Sequence, residues 1–423
     1  MTAKFQIKLP LDIIEDFRKE INQDDFLLLE NESPIFHDGA TYKKHYNTIC
    51  ACMDRIQDTA KYLNEKPLGE QHDYGCAFDF IEFISHSATM LDCINSLADI
   101  FSCKEKFNLD TEFFKSKNVF RPEELKYKLK SGKNNDDRYF EYIRTISSIH
   151  PNDTKRHKAF QHTDKEVSPF VIWNKFAGLD KENSGDILLR IYDKGEKVEI
   201  YNLNLYLSEI INYIKDRYSH LIIIQDTIRR IKEERINSLK ISPIKNPKEF
   251  KNYSIYLNNL SKEAAKRDGY ASEDIKQLAK MVNIETIPAK NNQKFKKYKN
   301  AIKFAVKKLH SALEEMDSEK IRKSVQLLRS LDLPNLEEED AGLSYSYNYE
   351  KIRKLYYEDN TWSRQLASHM SDIFNKYVSV NDEEFFSLAP LQLLATINTA
   401  LYFYSLKHDT VTNRQIPKTK QYR

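Results

Sequence analysis

Glycine is scarce in this chain, which has 9 glycines in 423 residues, whereas ~7% is typical of globular proteins. Tight hairpins, glycine bulges and phosphate-binding loops need residues at positive φ, which glycine adopts at little cost. No two of the glycines are spaced as G-x-G or as G-x-x-x-x-G-K. The sequence therefore excludes an all-β barrel, a Rossmann dinucleotide fold and a P-loop nucleotide fold.

Cysteine is infrequent and poorly spaced for a disulfide framework. The five cysteines all lie between positions 50 and 103, and no C-x-x-C occurs. An odd number with this spacing predicts reduced thiols, as in a cytosolic protein. The first residues carry charged side chains instead of the apolar core of a signal peptide. We therefore predict a cytoplasmic location.

An excess of one charge and a clear membrane span are also missing. The 66 basic and 63 acidic residues leave a net charge of +3, which identifies no partner by itself. Residues 385–406 are uncharged and long enough to cross a bilayer. Polar residues interrupt this stretch, however, and Pro390 lies near its start. It therefore predicts a core helix with Pro390 in the first turn, and no membrane association.

Apolar residues recur at three- and four-residue steps through most of the chain, as in amphipathic helices. Residues 41–65 fit one such helix, and residues 73–103 fit a longer one. The wide apolar surface of the longer helix predicts a central position in a bundle. A third helix is predicted from residue 136 to about 149, because Pro151 disfavours the α conformation at His150.

Two strand-like runs, 187–192 and 198–201, flank an Asp-Lys-Gly-Glu turn and predict a β-hairpin, with 170–173 as a candidate third strand. Two prolines within 242–247 predict a domain boundary. The predicted fold is mainly α, with an N-terminal helical bundle, an inserted β-hairpin and a second helical domain. The predicted parts are an N-terminal extension at 1–40, a bundle at 41–240 with its hairpin at about 168–203, and a C-terminal domain at 247–423.

The segment 144–157 concentrates side chains suited to phosphodiester chemistry. Arg144, Ser147 and Ser148 share one helical face, and Pro151 stops the helix so that the His150 imidazole can fold back toward Arg144. A guanidinium binds phosphate oxygens bidentately, and an imidazole with a pKa near ~6.5 exchanges protons at neutral pH. The alternative is a helix end whose carbonyls are capped by cationic side chains.

An arginine and a histidine separated by four to six residues at a helix end are the signature of the HEPN superfamily, which Arg144-x5-His150 resembles. The resemblance implies a helical bundle over roughly residues 40–237 and RNA cleavage without a metal or other cofactor. Arg144 would hold the scissile phosphate, and His150 would act as general base on the 2′-hydroxyl, giving a 2′,3′-cyclic phosphate. The resemblance also implies a homodimer in a toxin–antitoxin or antiphage defence module, with a possible partner protein.

Two other pairs have a similar spacing, Arg156…His162 and Arg364…His369. Members of the superfamily often have Asn, Asp or His directly after the arginine, and Arg156-His157 meets that preference. Arg156 with His162 therefore stays an alternative to Arg144 with His150. The pair at 364 and 369 is predicted to be ordinary helix surface.

Further polar residues are candidates for supporting roles. Thr154, Arg156 and His157 would line the same site as Arg144. Glu82 and His86 belong to a polar stripe on the second helix and are expected to face the 144–157 segment, where Glu82 would raise the pKa of the histidine. A stripe facing only solvent is the alternative.

No metal site is predicted, because the three histidines nearest this segment have no recognised zinc spacing. A candidate nucleic-acid surface lies instead in 286–311, which has eight lysines and no acidic residue. The residues predicted to bind nucleic acid are Lys294, Lys296, Lys297, Lys299, Lys303 and Lys307. The alternative is a solvated helix face balanced by the acidic run 337–340.

Two functions remain open from the sequence. The first is a metal-independent endoribonuclease with Arg144 and His150 as catalytic residues and RNA as substrate. The second is a non-catalytic helical scaffold or a regulatory partner in such a system.

Overall fold

A computed structural model gives the fold of the chain. It describes residues 5–23, 26, 29, 42–68, 75–101, 103, 119–120, 136–149, 166–173, 185–193, 200–269, 271–331 and 345–408. Within these ranges the helices are α1 (Leu11–Ile21), α2 (Tyr42–Glu65), α3 (Gly75–Ile100), α4 (Asp136–Arg144), α5 (Leu207–Ile241), α6 (Tyr253–Arg267), α7 (Ala271–Val282), α8 (Asn292–Glu315), α9 (Ser318–Ser330), α10 (Tyr345–Ile352), α11 (Thr361–His369), α12 (Ser371–Asn375), α13 (Asp382–Ser387) and α14 (Pro390–His408). The strands are β1 (Glu166–Trp173), β2 (Ile187–Asp193) and β3 (Ile200–Leu205). The mainly α fold with a small inserted β element is therefore confirmed.

The chain divides into two compact units. The first comprises Met1–Phe26 and Ser33–Ile231, and the second comprises Leu27–Glu32 and Lys232–Arg423. The division falls within α5, which runs continuously from Leu207 to Ile241. The proline-containing segment 242–247, where the sequence predicts a boundary, directly follows the end of this helix.

Helix α3 occupies the central position in the first unit that its wide apolar surface predicts. It contacts α2, α4 and β1, and its core residues include Phe80, Ile84 and Leu97, each fully buried or nearly so. A helix that is apolar around most of its circumference must be covered on several sides. This arrangement brings α4, the helix that ends at Arg144, against α3.

The three strands form an antiparallel sheet in the order β1-β2-β3. The predicted hairpin corresponds to β2 and β3, and the candidate third strand is β1. The β1–β2 register shifts between Val167 and Phe170, where Pro169 has no N–H for the ladder. The turn predicted at residues 194–196 lies outside the described residues.

Gly185 lets the start of β2 approach the end of β3 closely. A Cβ at this position would lie 2.5 Å from the carbonyl oxygen of Leu205. The neighbouring Asp186 accepts a hydrogen bond from the backbone N–H of Leu207, at 2.8 Å, and so caps the first turn of α5. The sheet is therefore tied directly to the long helix that follows it.

Helices are the regular secondary structure found in the described residues of the second unit. Helix α8 lies within its core, with Ile302, Ala305, Val306 and Leu309 fully buried and contacts to α6, α7, α9 and α14. The uncharged stretch at the C-terminus forms α14, which starts at Pro390 and is buried along most of its length, as predicted. None of the helices in the described ranges has the length and apolar character needed to cross a bilayer.

Candidate functional site

Arg144 is the last residue of α4, and the chain passes from it directly into a π-helical turn at Thr145–Ile149. The predicted helix therefore has the expected extent, but its last turn is wider than an α-helical one. Helix α4 has Asp136 and Asp137 in its first turn and Arg144 in its last turn, which complements the helix dipole. His150 and Pro151 follow the π turn in the sequence.

Among the described residues, two carboxylates hold the Arg144 guanidinium. Its Nη1 atom lies 3.2 Å from Oδ2 of Asp92 on α3 and 3.2 Å from Oε2 of Glu141, one turn earlier on α4. The arginine side chain is 23% exposed, and both carboxylates are more exposed than that. These ion pairs fix the guanidinium at the junction of α3, α4 and the π turn.

The hydroxyl groups next to Arg144 bind the helix backbone. Ser147 is buried, and its Oγ donates to the carbonyl oxygen of Ile143 at 2.6 Å. Thr145 Oγ1 donates in the same way to the Glu141 carbonyl oxygen, at 2.8 Å. Ser147, predicted to support the site, therefore supports the helix end that carries Arg144.

Several predicted site residues cannot be placed against this geometry. His150, Thr154, Arg156 and His157 lie outside the described residues, as does His162 of the alternative pair. The side chain of Ser148 is also outside them. The pairing of Arg144 with His150 therefore stays a prediction.

Glu82 and His86 lie in a polar cluster with residues of α2, which we call the Lys66–Glu82 cluster. Tyr62 Oη donates to Glu82 Oε1 at 2.5 Å, and Lys66 Nζ donates to the other carboxylate oxygen. The Lys66 ammonium also lies 3.2 Å from Asp79. The ring of His86 is 4.9 Å from that of Tyr62, and its Nε2 atom is 3.8 Å from Glu82 Oε1. Among the described residues, the partners of Glu82 therefore come from α2, from Lys66 directly after it and from α3, and not from the 144–149 segment.

Charge pairing determines the protonation of this cluster. The hydrogen bond from Lys66 lowers the pKa of Glu82, and the same contact raises the pKa of Lys66. Burial, followed by the hydrogen bond to Glu82, raises the pKa of Tyr62. Both charged groups are therefore ionised at neutral pH, and the cluster joins α2 to α3. The polar stripe on α3 indicated these residues, but its partners on α2 were not predicted.

A second polar cluster, which the sequence did not indicate, holds α4 against α5. We call it the Asp137 cluster. Asp137 Oδ1 accepts hydrogen bonds from Tyr213 Oη at 2.6 Å and from Arg217 Nε at 2.8 Å. Arg217 is buried, also pairs with Asp216 at 2.6 Å, and lies 4.8 Å from the centre of the Tyr213 ring. Its partner Asp137 stands in the first turn of the helix that ends at Arg144, so the cluster positions that helix.

Arg364 is buried, although the sequence predicts that it lies on an ordinary helix surface. Its side chain is 8% exposed and binds Asp359 through two nitrogens, at 2.6 and 3.0 Å. It also donates to the carbonyl oxygen of Phe385 at 3.0 Å. The surface prediction is therefore wrong for Arg364, because amphipathic spacing does not distinguish a solvated arginine from one that is buried against a neighbouring helix.

The lysines predicted to bind nucleic acid fall into three groups on α8. Lys294 and Lys299 donate to backbone carbonyls, of Tyr377 and Ile284 respectively. The Lys303 ammonium lies 5.5 Å from the centre of the Tyr253 ring. Lys296, Lys297 and Lys307 are exposed, and within the described ranges they have no acidic partner.

Two cysteines of the first unit form a thiol pair between α2 and α3. The four cysteines whose side chains are described are free thiols, as predicted. The hydrogen bond from Cys52, assisted by the charge of Arg55, lowers the pKa of Cys93 against the effect of burial. The same contact, together with burial, raises the pKa of Cys52. Cys93 is therefore the thiol of this pair that ionises first.

We expect Cys93 to react with iodoacetamide at lower pH than Cys50, which is also half-buried, because the thiolate is the nucleophile. Replacing Cys52 with Ala removes the donor and should move the midpoint of the Cys93 pH–rate profile upward. The measurement is the labelling rate of each peptide by mass spectrometry between pH 6 and 10. An unchanged midpoint in Cys52→Ala would contradict the assignment.

No group of His, Cys, Asp and Glu side chains suited to holding a metal ion occurs among the described residues. The chain matches no family model, no curated protein and no solved structure.

Proposed function

We propose that this protein is a metal-independent endoribonuclease in which Arg144 holds the scissile phosphate and His150 is the general base. The observation that carries the proposal is the helix end itself. Arg144 closes α4, a π-helical turn follows, and His150-Pro151 comes next in the chain. π-Helical turns are rare and occur frequently at functional sites, and this one lies between the two residues of the proposed pair.

The chemistry requires only groups that this segment supplies. His150 would take the proton of the ribose 2′-hydroxyl while the 2′ oxygen forms a bond to phosphorus. The bond from phosphorus to the 5′ oxygen then breaks, the leaving oxygen takes up a proton from water, and the His150 imidazole returns its proton to solvent. The products are a 2′,3′-cyclic phosphate and a 5′-hydroxyl. Charge accumulates on the phosphate oxygens in the transition state, where a guanidinium stabilises it.

The proposal includes the oligomeric state, the biological system and the location of the protein. The HEPN resemblance supports a homodimer and a role in a toxin or antiphage defence system, with a possible partner protein. The free thiols of the first unit agree with a cytoplasmic location. The oligomeric state is measurable by size-exclusion chromatography with light scattering.

A non-catalytic scaffold or regulator is the second candidate, and the ion pairs of Arg144 favour it. An arginine in the last turn of a helix interacts favourably with the helix dipole, and the pair with Asp92 joins α4 to α3. A structural role would need nothing more from this residue.

RNA cleavage in EDTA separates the two candidates. We expect the purified full chain to cleave labelled RNA in EDTA, and we expect Arg144→Ala and His150→Ala each to lose on the order of 100-fold or more in rate. Arg329→Ala is the matched control, because Arg329 forms an exposed ion pair with Asp274 in the second unit. Circular dichroism checks the fold of each variant.

Each other outcome has a definite meaning. Absence of cleavage by a folded dimer supports the scaffold. Loss of cleavage only in Arg156→Ala and His162→Ala transfers the site to the alternative pair. If Arg144→Ala loses cleavage only because the variant is unfolded at the assay temperature, as thermal unfolding would show, the role of Arg144 is structural.

A further inference from the structure

The lysines of α8 are not equivalent, and one subset forms a straight line. Helical geometry advances 100° and 1.5 Å per residue. Lys303 and Lys307, seven and eleven positions after Lys296, therefore lie within about 20° of it around the helix. The three ammonium groups mark a line about 16 Å long. We call Lys296, Lys303 and Lys307 the lysine line; all three are exposed.

The packing of α8 separates this line from the other lysines of the helix. The bonds of Lys294 and Lys299 to backbone carbonyls commit these two residues to the structure of the second unit. The apolar face of α8 is buried in the core, and no large hydrophobic side chain of α8 is exposed. The line therefore forms a polar ridge without the apolar anchors by which amphipathic helices enter a membrane surface.

The charge arrangement of α8 is unfavourable in the isolated protein. Like charges four residues apart repel, as at Lys299–Lys303 and Lys303–Lys307. Burial, followed by the charge of Lys303, lowers the pKa of Lys299. The lysines occupy the first five turns and the acidic Glu314 and Glu315 occupy the last, opposite to the preference of a helix dipole. An anion bound beside these lysines would offset the repulsion between them.

The line continues toward a second group of lysines. Lys303 lies over the ring of Tyr253, the first residue of α6. Exposed lysines at positions 245, 248 and 251 directly precede that residue. The Tyr253 ring is half-buried and therefore offers little surface for stacking a base.

We propose that the lysine line binds the phosphates of single-stranded RNA without regard to sequence. A row of ammonium groups without base-reading side chains neutralises a phosphate backbone and releases its counterions. The inference rests on the proposed function, because it assigns this surface to RNA as the substrate. It adds which lysines bind RNA and by what physical effect.

The salt dependence of binding tests the proposal. Each phosphate neutralised on a single strand contributes about −0.7 to the slope of log K against log salt. We expect the triple variant K296Q/K303Q/K307Q to reduce the magnitude of the slope by about 2, and affinity at 0.1 M salt by on the order of 100-fold. The probe is a fluorescent 2′-O-methyl RNA, which lacks the attacking hydroxyl, so binding is measured independently of cleavage.

A matched triple variant in the same unit serves as control. Lys276, Lys320 and Lys323 are exposed and paired with Glu273, Glu315 and Glu319 respectively. K276Q/K320Q/K323Q removes the same charge and should leave the slope unchanged. Equal slopes for the two triple variants, or stronger binding of a poly-glutamate peptide than of RNA, would overturn the proposal. If the protein binds RNA with this salt dependence but cleaves no RNA, the proposed role of the lysine line stands and the proposed nuclease activity is refuted.

Discussion

Replacing Arg267 with Met is expected to destabilise the second unit by about 3 kcal/mol, because buried hydrogen bonds from a charged donor contribute ~1.5–3 kcal/mol each. The Arg267 side chain is fully buried. Its guanidinium donates to the carbonyl oxygens of Leu239 at 2.9 Å, Leu313 at 3.2 Å and Ser242 at 2.6 Å. Leu239 and Leu313 lie near the ends of α5 and α8. Methionine fills a similar volume but donates to none of these carbonyls. Leu239 and Leu313 keep their backbone hydrogen bonds from the N–H groups of Ser242, at 3.2 Å, and Met316, at 3.3 Å, whereas the Ser242 carbonyl loses a 2.6 Å bond, and an unsatisfied buried acceptor costs ~1–3 kcal/mol.

Urea unfolding measures the loss in the free energy of unfolding, and hydrogen-exchange mass spectrometry shows where in the chain the loss occurs. Peptides from the ends of α5 and α8 should exchange faster in Arg267→Met than in the parent chain. The adjacent Lys266→Met is the control, because Lys266 is exposed and pairs with Glu263 only at the surface. We expect it to cost less than ~1 kcal/mol. Equal losses in the two variants would show that the three carbonyl contacts do not stabilise the unit.

Acidification from pH 6.5 to 4 is expected to destabilise the first unit through His220. Burial, assisted by the positive charge of Arg217, lowers the pKa of His220 to about 4, although Asp216 and Asp137 act in the opposite direction. Between its unfolded and folded pKa values, the unfolded chain binds a proton that the folded chain does not. Stability therefore falls as the pH falls through this window. The loss from this group is at most about 3 kcal/mol, at 1.36 kcal/mol per pKa unit.

The His220→Gln variant tests this assignment, because glutamine does not titrate. Its free energy of unfolding should fall less steeply between pH 6.5 and 4 than that of the parent chain, whatever its stability at pH 7. His369→Gln removes an exposed histidine and should leave the pH dependence unchanged. Identical pH slopes for the parent chain and His220→Gln would exclude His220 as the titrating group.

The helices could be predicted from the sequence because their signals are local. Apolar steps of three and four residues placed α2 and α3 within a few residues of their observed ends. Helix α1 was not predicted, although Ile14, Phe17 and Ile21 form its buried stripe. The β2–β3 pair also followed from local features, because the two strand-like runs are adjacent in the chain and the sequence between them contains Asp and Gly.

The environment of the candidate site was less predictable. The sequence indicated Arg144, Glu82 and His86 but not the carboxylates and hydroxyls that contact them. Asp92 lies 52 residues before Arg144, and Tyr213 and Arg217 lie 76 and 80 residues after Asp137. No periodicity within one helix identifies such partners.

The sequence alone determined that this protein is mainly helical, which residues face the core, and where the lysines concentrate. These properties follow from side-chain spacing along single helices. The tertiary structure decided which charges are paired, which arginines are buried and which lysines of α8 are committed to carbonyls. The physical reason is that an ion pair or a buried hydrogen bond depends on which faces of two helices meet, whereas the pattern along one helix specifies only that it has a face to bury.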